Sequence, residues 1–188
     1  MNDLNGLILA GGKSSRMGRD KSLLVIHELP QRLHLFNLLT PFCSQVYLSC
    51  KSTTNIPADL NPLPDKFEID SPLNGILSAF AHEPNAAWLT VAVDMPFVDA
   101  ITLQRLIQHR NATKVATCFF DSEGVKPEPL LTIWEPRAFP LMLAFHGRGG
   151  FSPREFLMEN DIHLLTVPDQ RALVNVNTEE DVRKSEAD

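Results

Sequence analysis

The sequence predicts an α/β fold, a mostly parallel central sheet with helices on both faces, and three observations predict it. Short apolar, β-rich runs alternate with stretches of helical pattern along the chain, the signature of a layered α/β protein. The run Trp88-Leu89-Thr90-Val91-Ala92-Val93 is apolar on both faces, as a central strand covered by helices requires. The first apolar run, Gly6 to Ala10, leads directly into a loop rich in glycine and cations.

The elements follow in order. Candidate strands cover residues 6–10, 45–50, 66–69, 88–93, 114–120, 130–134 and 163–167, each a short apolar run of strand length. Between them lie candidate helices at 31–39, 73–82, 100–110, 136–145, 153–160 and 178–184. Asp99 caps the third helix, and Thr178 with Asp181 at N3 caps the last. Residues 52–64, with three prolines and several small polar residues, read as an irregular connection. Residues 145–152, which include His146-Gly147-Arg148-Gly149-Gly150, read as a flexible loop and a candidate lid over substrate. Ligands in open α/β sheets bind beyond the carboxyl ends of strands, so the loop after Ala10 and the carboxylate of Asp94 are expected to share one crevice.

Composition narrows the function classes. At 188 residues and 44% apolar content the chain suits one substantial core. A net charge of −6 argues against a nucleic-acid partner, and the concentration of cations in one loop argues for a small anionic ligand. No apolar run is long enough for a signal peptide or a membrane span, so a soluble, cytoplasmic protein is expected. Cys43, Cys50 and Cys118 are widely spaced and expected to be free thiols, and the six scattered histidines support neither a zinc site nor a local catalytic triad.

The first loop suits phosphate. Glycine lets the backbone approach an anion, successive N–H groups converge on it, and Lys13, Arg16, Arg19 and Lys21 add charge. Two familiar phosphate motifs fail here: the P-loop spacing puts Lys13 one place late, and Gly11, Gly12 and Gly18 do not make G-x-G-x-x-G.

What matches is L-A-G-G-x-S-x-R-M-G-x-D-K from Leu9 to Lys21, which resembles the signature loop of the molybdenum cofactor guanylyltransferase family. Ser71-Pro72-Leu73-Asn74-Gly75-Ile76 is similar to that family's G-P-L-x-G-I, Asp94 and Pro96 to its strand-end D-x-P, and Glu128-Pro129-Leu130 to its [Q/H]-P-L. Asn175-Val176-Asn177-Thr178-Glu179-Glu180-Asp181 resembles its closing segment, so the likeness runs along the whole chain and implies a single nucleotidyltransferase domain over 1–188. Three departures stand out: Ser49 in place of an asparagine, Ser71 in place of a glycine, and His27-Glu28-Leu29-Pro30 where a G-x-P turn is expected.

The resemblance implies transfer of GMP from GTP to the phosphate of molybdopterin, with release of pyrophosphate. Nucleotidyl transfer needs a triphosphate cradle, a divalent cation and charge stabilisation as pyrophosphate leaves. Backbone N–H groups from Gly11 to Ser15 would cradle phosphate, Arg16 and Lys21 would stabilise charge, and Asp94 would hold Mg²⁺. Leu9, Ala10, Gly11, Gly12 and Lys21 match nucleotide contacts by position, and Asp65, with Asp70 as competitor, matches a further aspartate. Asn175, Asn177 and Arg154 are candidates for the acceptor, as is Arg148. Gly11 points to guanine, since cytidylyl relatives have L-A-A-G. A helper or acceptor enzyme is a further expected partner. The alternatives are transfer of another nucleotide such as CMP, a sugar-phosphate acceptor, or a silent nucleotide-binding regulator.

Overall fold

A computed structural model describes residues 4–10, 21–53 and 56–176. Seven strands form one sheet in the order β3-β2-β1-β4-β6-β5-β7. These are β1 (Leu4–Leu9), β2 (Val46–Cys50), β3 (Pro62–Pro64), β4 (Ala87–Ala92), β5 (Ala116–Phe120), β6 (Pro127–Trp134) and β7 (His163–Leu165). All neighbours are parallel except at β6, which runs antiparallel to both β4 and β5. Helices α1 (Gln31–Leu39), α2 (Leu73–His82), α3 (Ala100–Gln108), α4 (Ala138–Gly147) and α5 (Pro153–Met158) cover the sheet. No helix of the described residues is long and apolar enough to cross a membrane.

Burial explains the central strands. Every residue of β1 and of β4 is buried, as expected where helices cover both faces. Thr90, the polar residue inside β4, is satisfied there: its hydroxyl donates to the Thr132 carbonyl (3.1 Å) and accepts from Trp134 Nε1 (3.0 Å). Helix α3 starts as its sequence dictates, with the Asp99 carboxylate accepting from the Thr102 N–H at 2.8 Å. The three cysteines are free, with Cys43 and Cys118 pushed up to about 12 by burial.

One strand expectation is overturned. Residues 66–69 are not a strand, and the edge position beside β2 belongs to Pro62–Pro64 within the stretch expected to be irregular. The backbone of 66–69 is satisfied by side chains of α2 instead. Lys66 N–H donates to Ser78 Oγ (2.8 Å), Phe67 N–H to Asn74 Oδ1 (3.2 Å), and Asn74 Nδ2 donates to the carbonyls of Phe67 and Ile69. Prolines are tolerated in β3 because it is an edge strand with one partner. The expected helix at 178–184, with its cap at Thr178 and Asp181, lies outside the described residues.

Candidate active site

The sheet order reverses around β1, which has β2 on one side and β4 on the other. A crevice at such a point lies beyond the carboxyl ends of the strands. Val93 N–H donates to the Leu9 carbonyl at 3.1 Å and ties the two strand ends together. Over them opens a cleft of about 430 Å³ floored by Leu9, Ala10, Ala92, Val93, Asp94 and Lys21. Asp70, Ser71 and Pro72 form one wall, and Leu130, Phe151, Ser152 and Pro153 the other. The end of β1 and Asp94 thus share this cleft, while the loop after Ala10, expected to share it with Asp94, lies outside the described residues.

Asp94 is the most chemically pointed group in the cleft. Its Oδ1 is buried with no hydrogen-bond partner among the described residues. Burial raises its pKa, while the Lys21 charge and a backbone hydrogen bond pull the other way. A carboxylate oxygen kept from water and from donors is suited to a cation. Among the described residues no group of three His, Cys, Asp or Glu side chains stands ready to hold a metal, so a closed protein cage is not the arrangement. One carboxylate with substrate oxygens and water is how Mg²⁺ is commonly held, and Asp94 fits that role.

Next to the cleft lies a smaller recess over the ends of β2 and β3, sharing Leu9, Asp70, Ser71 and Pro72 with it. Its distinctive lining is Ser49, Lys51, Asp65 and Gly75. Asp65 is fixed by its N–H to the Cys50 carbonyl (2.8 Å), and its Oδ1 accepts from Ser49 Oγ at 3.4 Å. Burial raises its pKa, with Ser49 and Lys51 opposing. Asp70, the competitor, also lines the recess but is exposed and sits 3.8 Å from Lys51 Nζ. Gly75 is required by close approach: a Cβ there would lie 2.4 Å from Ser49 Oγ and 2.9 Å from Leu9 Cδ2. The second glycine of the G-P-L-x-G-like segment thus lets α2 press against the ends of β1 and β2.

The remaining expected residues divide. Val176 N–H donates to the Asp94 carbonyl at 2.8 Å, which brings the neighbouring Asn175, an exposed residue, to the end of β4. Arg154 is engaged elsewhere, with Nη2 donating to Glu128 Oε2 at 3.2 Å and Nη1 lying 3.9 Å from Asp121. Arg148 pairs with Glu159 and lies over the Phe145 ring. Gly11, Gly12, Arg16 and Asn177 lie outside the described residues.

The turn at 27–30 accounts for one departure. An antiparallel bridge from Val25 to Pro30 closes it, and Glu28 has φ of 60°. That is the left-handed region, where glycine is at ease and glutamate is strained, so Glu28 keeps the turn that G-x-P would make. Residues the motifs did not single out are Leu130 as a site residue, Phe151 and Pro153. Leu130 lies in β6, Pro153 at the start of α5 and Phe151 in the loop before it, and nothing in their local sequence distinguishes a residue facing a cleft from one in the core or on the surface. Part of the stretch 145–152 expected to be a flexible loop is helical, since α4 runs on to Gly147, and Phe151 and Ser152 are its residues that line the cleft.

The fold is of the α/β class, with a candidate crevice at the switch point of the sheet, and the family match makes the chain a nucleotidyltransferase. A MobA-like NTP transferase domain matches residues 6–163, and the chain belongs to that family. It is 32% identical over 181 residues to a molybdenum cofactor biosynthesis bifunctional protein of Synechocystis, covering 95% of this chain but only 52% of that one. The chain thus spans about half the length of that relative. It is 28% identical to a probable molybdenum cofactor guanylyltransferase of Nostoc, over 97% of this chain and 90% of the relative. Among solved structures, molybdopterin-guanine dinucleotide biosynthesis protein A from Archaeoglobus fulgidus superposes with a TM-score of 0.78 over 97% of both chains, at 20% identity, a likeness of fold.

Proposed function

We propose that the protein transfers GMP from GTP to the phosphate of molybdopterin, releasing pyrophosphate and forming a molybdopterin guanine dinucleotide. The observation that carries the proposal is the buried, unpartnered Oδ1 of Asp94 on the floor of a cleft that also holds Lys21. The relative named a probable molybdenum cofactor guanylyltransferase supports the guanylyl group and the molybdenum cofactor acceptor. The proposal takes residues 1–188 as one catalytic domain working in the cytoplasm.

In this reading the base lies in the cleft with only one edge at the mouth of the recess formed by Leu9, Ser49, Asp65 and Gly75, whose own volume of about 10 Å³ holds no ring, and the triphosphate crosses Ala10 toward Lys21 and the loop that follows β1. Gly11, Gly12 and Arg16 belong to that loop and complete the cradle. Asp94 would hold Mg²⁺, which when bound neutralises phosphate charge. The acceptor lies toward Leu130 and Phe151, with Asn175 near the end of β4. No general base is needed. A phosphate monoester has a second pKa of about 6, so its attacking oxygen is largely deprotonated at neutral pH. The work of the protein is to align two anions and screen their repulsion.

Calorimetric titration of GTP and CTP with Mg²⁺ tests the base. GTP is expected to bind at least tenfold more tightly, about 1.4 kcal/mol, which one or two hydrogen bonds to the guanine edge supply. Equal or tighter CTP binding would overturn the guanylyl assignment and favour the cytidylyl alternative. Pyrophosphate release that requires both GTP and molybdopterin tests the acceptor, and release with a sugar phosphate in place of molybdopterin would overturn it.

A further inference from the structure

We infer that Phe151, latched in place by Ser71, is the face on which the pterin part of the acceptor stacks; the inference rests on the guanylyl-transfer reading and assigns a residue to its second substrate. Phe151 is 61% exposed and yet lines the cleft. An exposed phenylalanine is unremarked on most surfaces, but this one sits at the mouth of a substrate-sized cavity on a backbone held from several sides.

Before it, Gly150 N–H donates to the Phe145 carbonyl at 3.0 Å, and the His146 ring approaches the Gly150 carbonyl at 3.2 Å. A Cβ at Gly150 would lie 2.5 Å from the Phe145 ring, so the chain is pressed against α4 there. After it, the Ser152 hydroxyl accepts from the Glu155 N–H at 3.3 Å and starts α5. At Phe151 itself, Ser71 Oγ donates across the cleft to the carbonyl at 2.5 Å. Ser71 stands where the similar family motif has glycine, which has no side-chain donor. The latch is therefore built from one of this chain's own departures, and it joins the two walls of the cleft.

The position favours the second substrate. The recess that meets one edge of the base is lined by Ser49, Asp65 and Gly75 and does not include Phe151. Phe151 instead shares the main cleft with Asp94 and Leu130, on the wall opposite Ser71 and Pro72. A ring entering from that side, with its phosphate directed toward Asp94 and Lys21, meets an aromatic face whose backbone is already ordered. Stacking then costs little further conformational entropy. Phe151 is a binding residue in this account and Ser71 a positioning residue that acts through it.

The test is a fluorescence titration of the full chain with neopterin 3′-monophosphate, whose pterin emission is quenched on stacking, alongside calorimetry with GTP. Phe151→Ala is expected to weaken pterin binding about tenfold or more and to abolish the quench, the size that loss of one stacking platform produces. Phe151→Tyr retains both. Ser71→Ala, which removes the bond to Phe151 and also the one its Oγ accepts from the Leu73 N–H at 3.2 Å, weakens pterin binding by about threefold or more, and Ser71→Thr, which keeps both, restores it. GTP affinity is unchanged in the two Phe151 variants. Pterin binding by Phe151→Ala equal to wild type would overturn the platform and leave guanylyl transfer standing. An equal loss of GTP affinity in Phe151→Ala would give the ring to the nucleotide and overturn the inference. Wild-type binding of neopterin phosphate no tighter than that of ribose 5-phosphate would overturn both the platform and the acceptor proposed above.

Discussion

Replacing Asp94 with asparagine separates a ligand-holding role from a structural one, because the two roles change stability in opposite directions. In the wild type a buried carboxylate oxygen has no hydrogen-bond partner among the described residues, and burial raises the pKa of the group against the pull of Lys21. An unsatisfied buried polar group costs about 1–3 kcal/mol, and more when charged. Lys21 offsets part of this, and the amide keeps some desolvation cost of its own, so the expected net gain is about 1 kcal/mol. For a domain of this size that corresponds to about 2–4 °C in Tm. The variant is therefore expected to melt higher than wild type in EDTA at neutral pH, measured by circular dichroism, while losing most Mg²⁺-dependent pyrophosphate release. The pH dependence has a definite sign. A carboxyl whose folded-state pKa is raised contributes stability that is complete below its unfolded pKa and is lost as pH rises through the folded one. The Tm gap between variant and wild type should accordingly be widest near neutrality and close on acidification. Turnover that needs the ionised carboxylate should begin to fall at a pH above the ordinary aspartate range. A lower Tm for the variant with turnover within about threefold of wild type, a difference of under 1 kcal/mol in the barrier, would make Asp94 a turn cap before Pro96 and refute the reasoning.

Lys21→Ala and Arg16→Ala are each expected to lower kcat/KM by on the order of 10²-fold, as when one charge-stabilising group is lost from a transition state. A change in Tm alone would make the loop structural. Gly75→Ala is expected to cost about 1–3 kcal/mol in urea denaturation, because the new methyl overlaps Ser49 Oγ at 2.4 Å and Leu9 Cδ2 at 2.9 Å. Adding Ser49→Ala should recover part of the loss, since the tighter of the two overlaps is with the hydroxyl; no shift in the midpoint of the single variant would show that α2 does not need that approach.

The fold was legible where burial and periodicity agree. Helices α1 and α2 start and end where the sequence places them, and β4 follows from a run apolar on both faces. Residues 66–69 misled because Phe67 and Ile69 alternate with charge in strand fashion, yet their backbone partners are Asn74 and Ser78, two side chains on a later helix. Single-residue propensity contains no record of such long-range partners, and it also disfavours Pro62 and Pro64, which an edge strand accommodates. At the site, Leu9, Ala10, Lys21 and Asp94 were legible because strand-end position and motif spacing coincide there. Arg154 illustrates the reverse. A basic residue near the cleft suggested an anion partner, but Glu128 and Asp121 arrive from β6 and the loop before it and engage it. Phe151 and Ser71 were not legible as a pair, because a hydrogen bond spanning 80 positions leaves no local signature.

In the proposed reaction the chain brings two polyanions together while itself carrying a net charge of −6. Bulk electrostatics opposes that, so attraction has to be local. The lining of the cleft supplies the means. Leu9, Ala92, Val93, Leu130 and Pro153 are apolar, and Lys21 is the one cation lining it among the described residues. Between low-dielectric walls a single charge acts over a longer range and is screened less by salt than the same charge on an open surface. The cations of residues 13–21 follow β1 in sequence. Distributing the same positive charge over the surface would attract nucleic acid and weaken discrimination; concentrating it in one loop lets an acidic protein present a site for phosphate. This is why the loss of Lys21 alone is expected to be felt so strongly in turnover while leaving the fold intact.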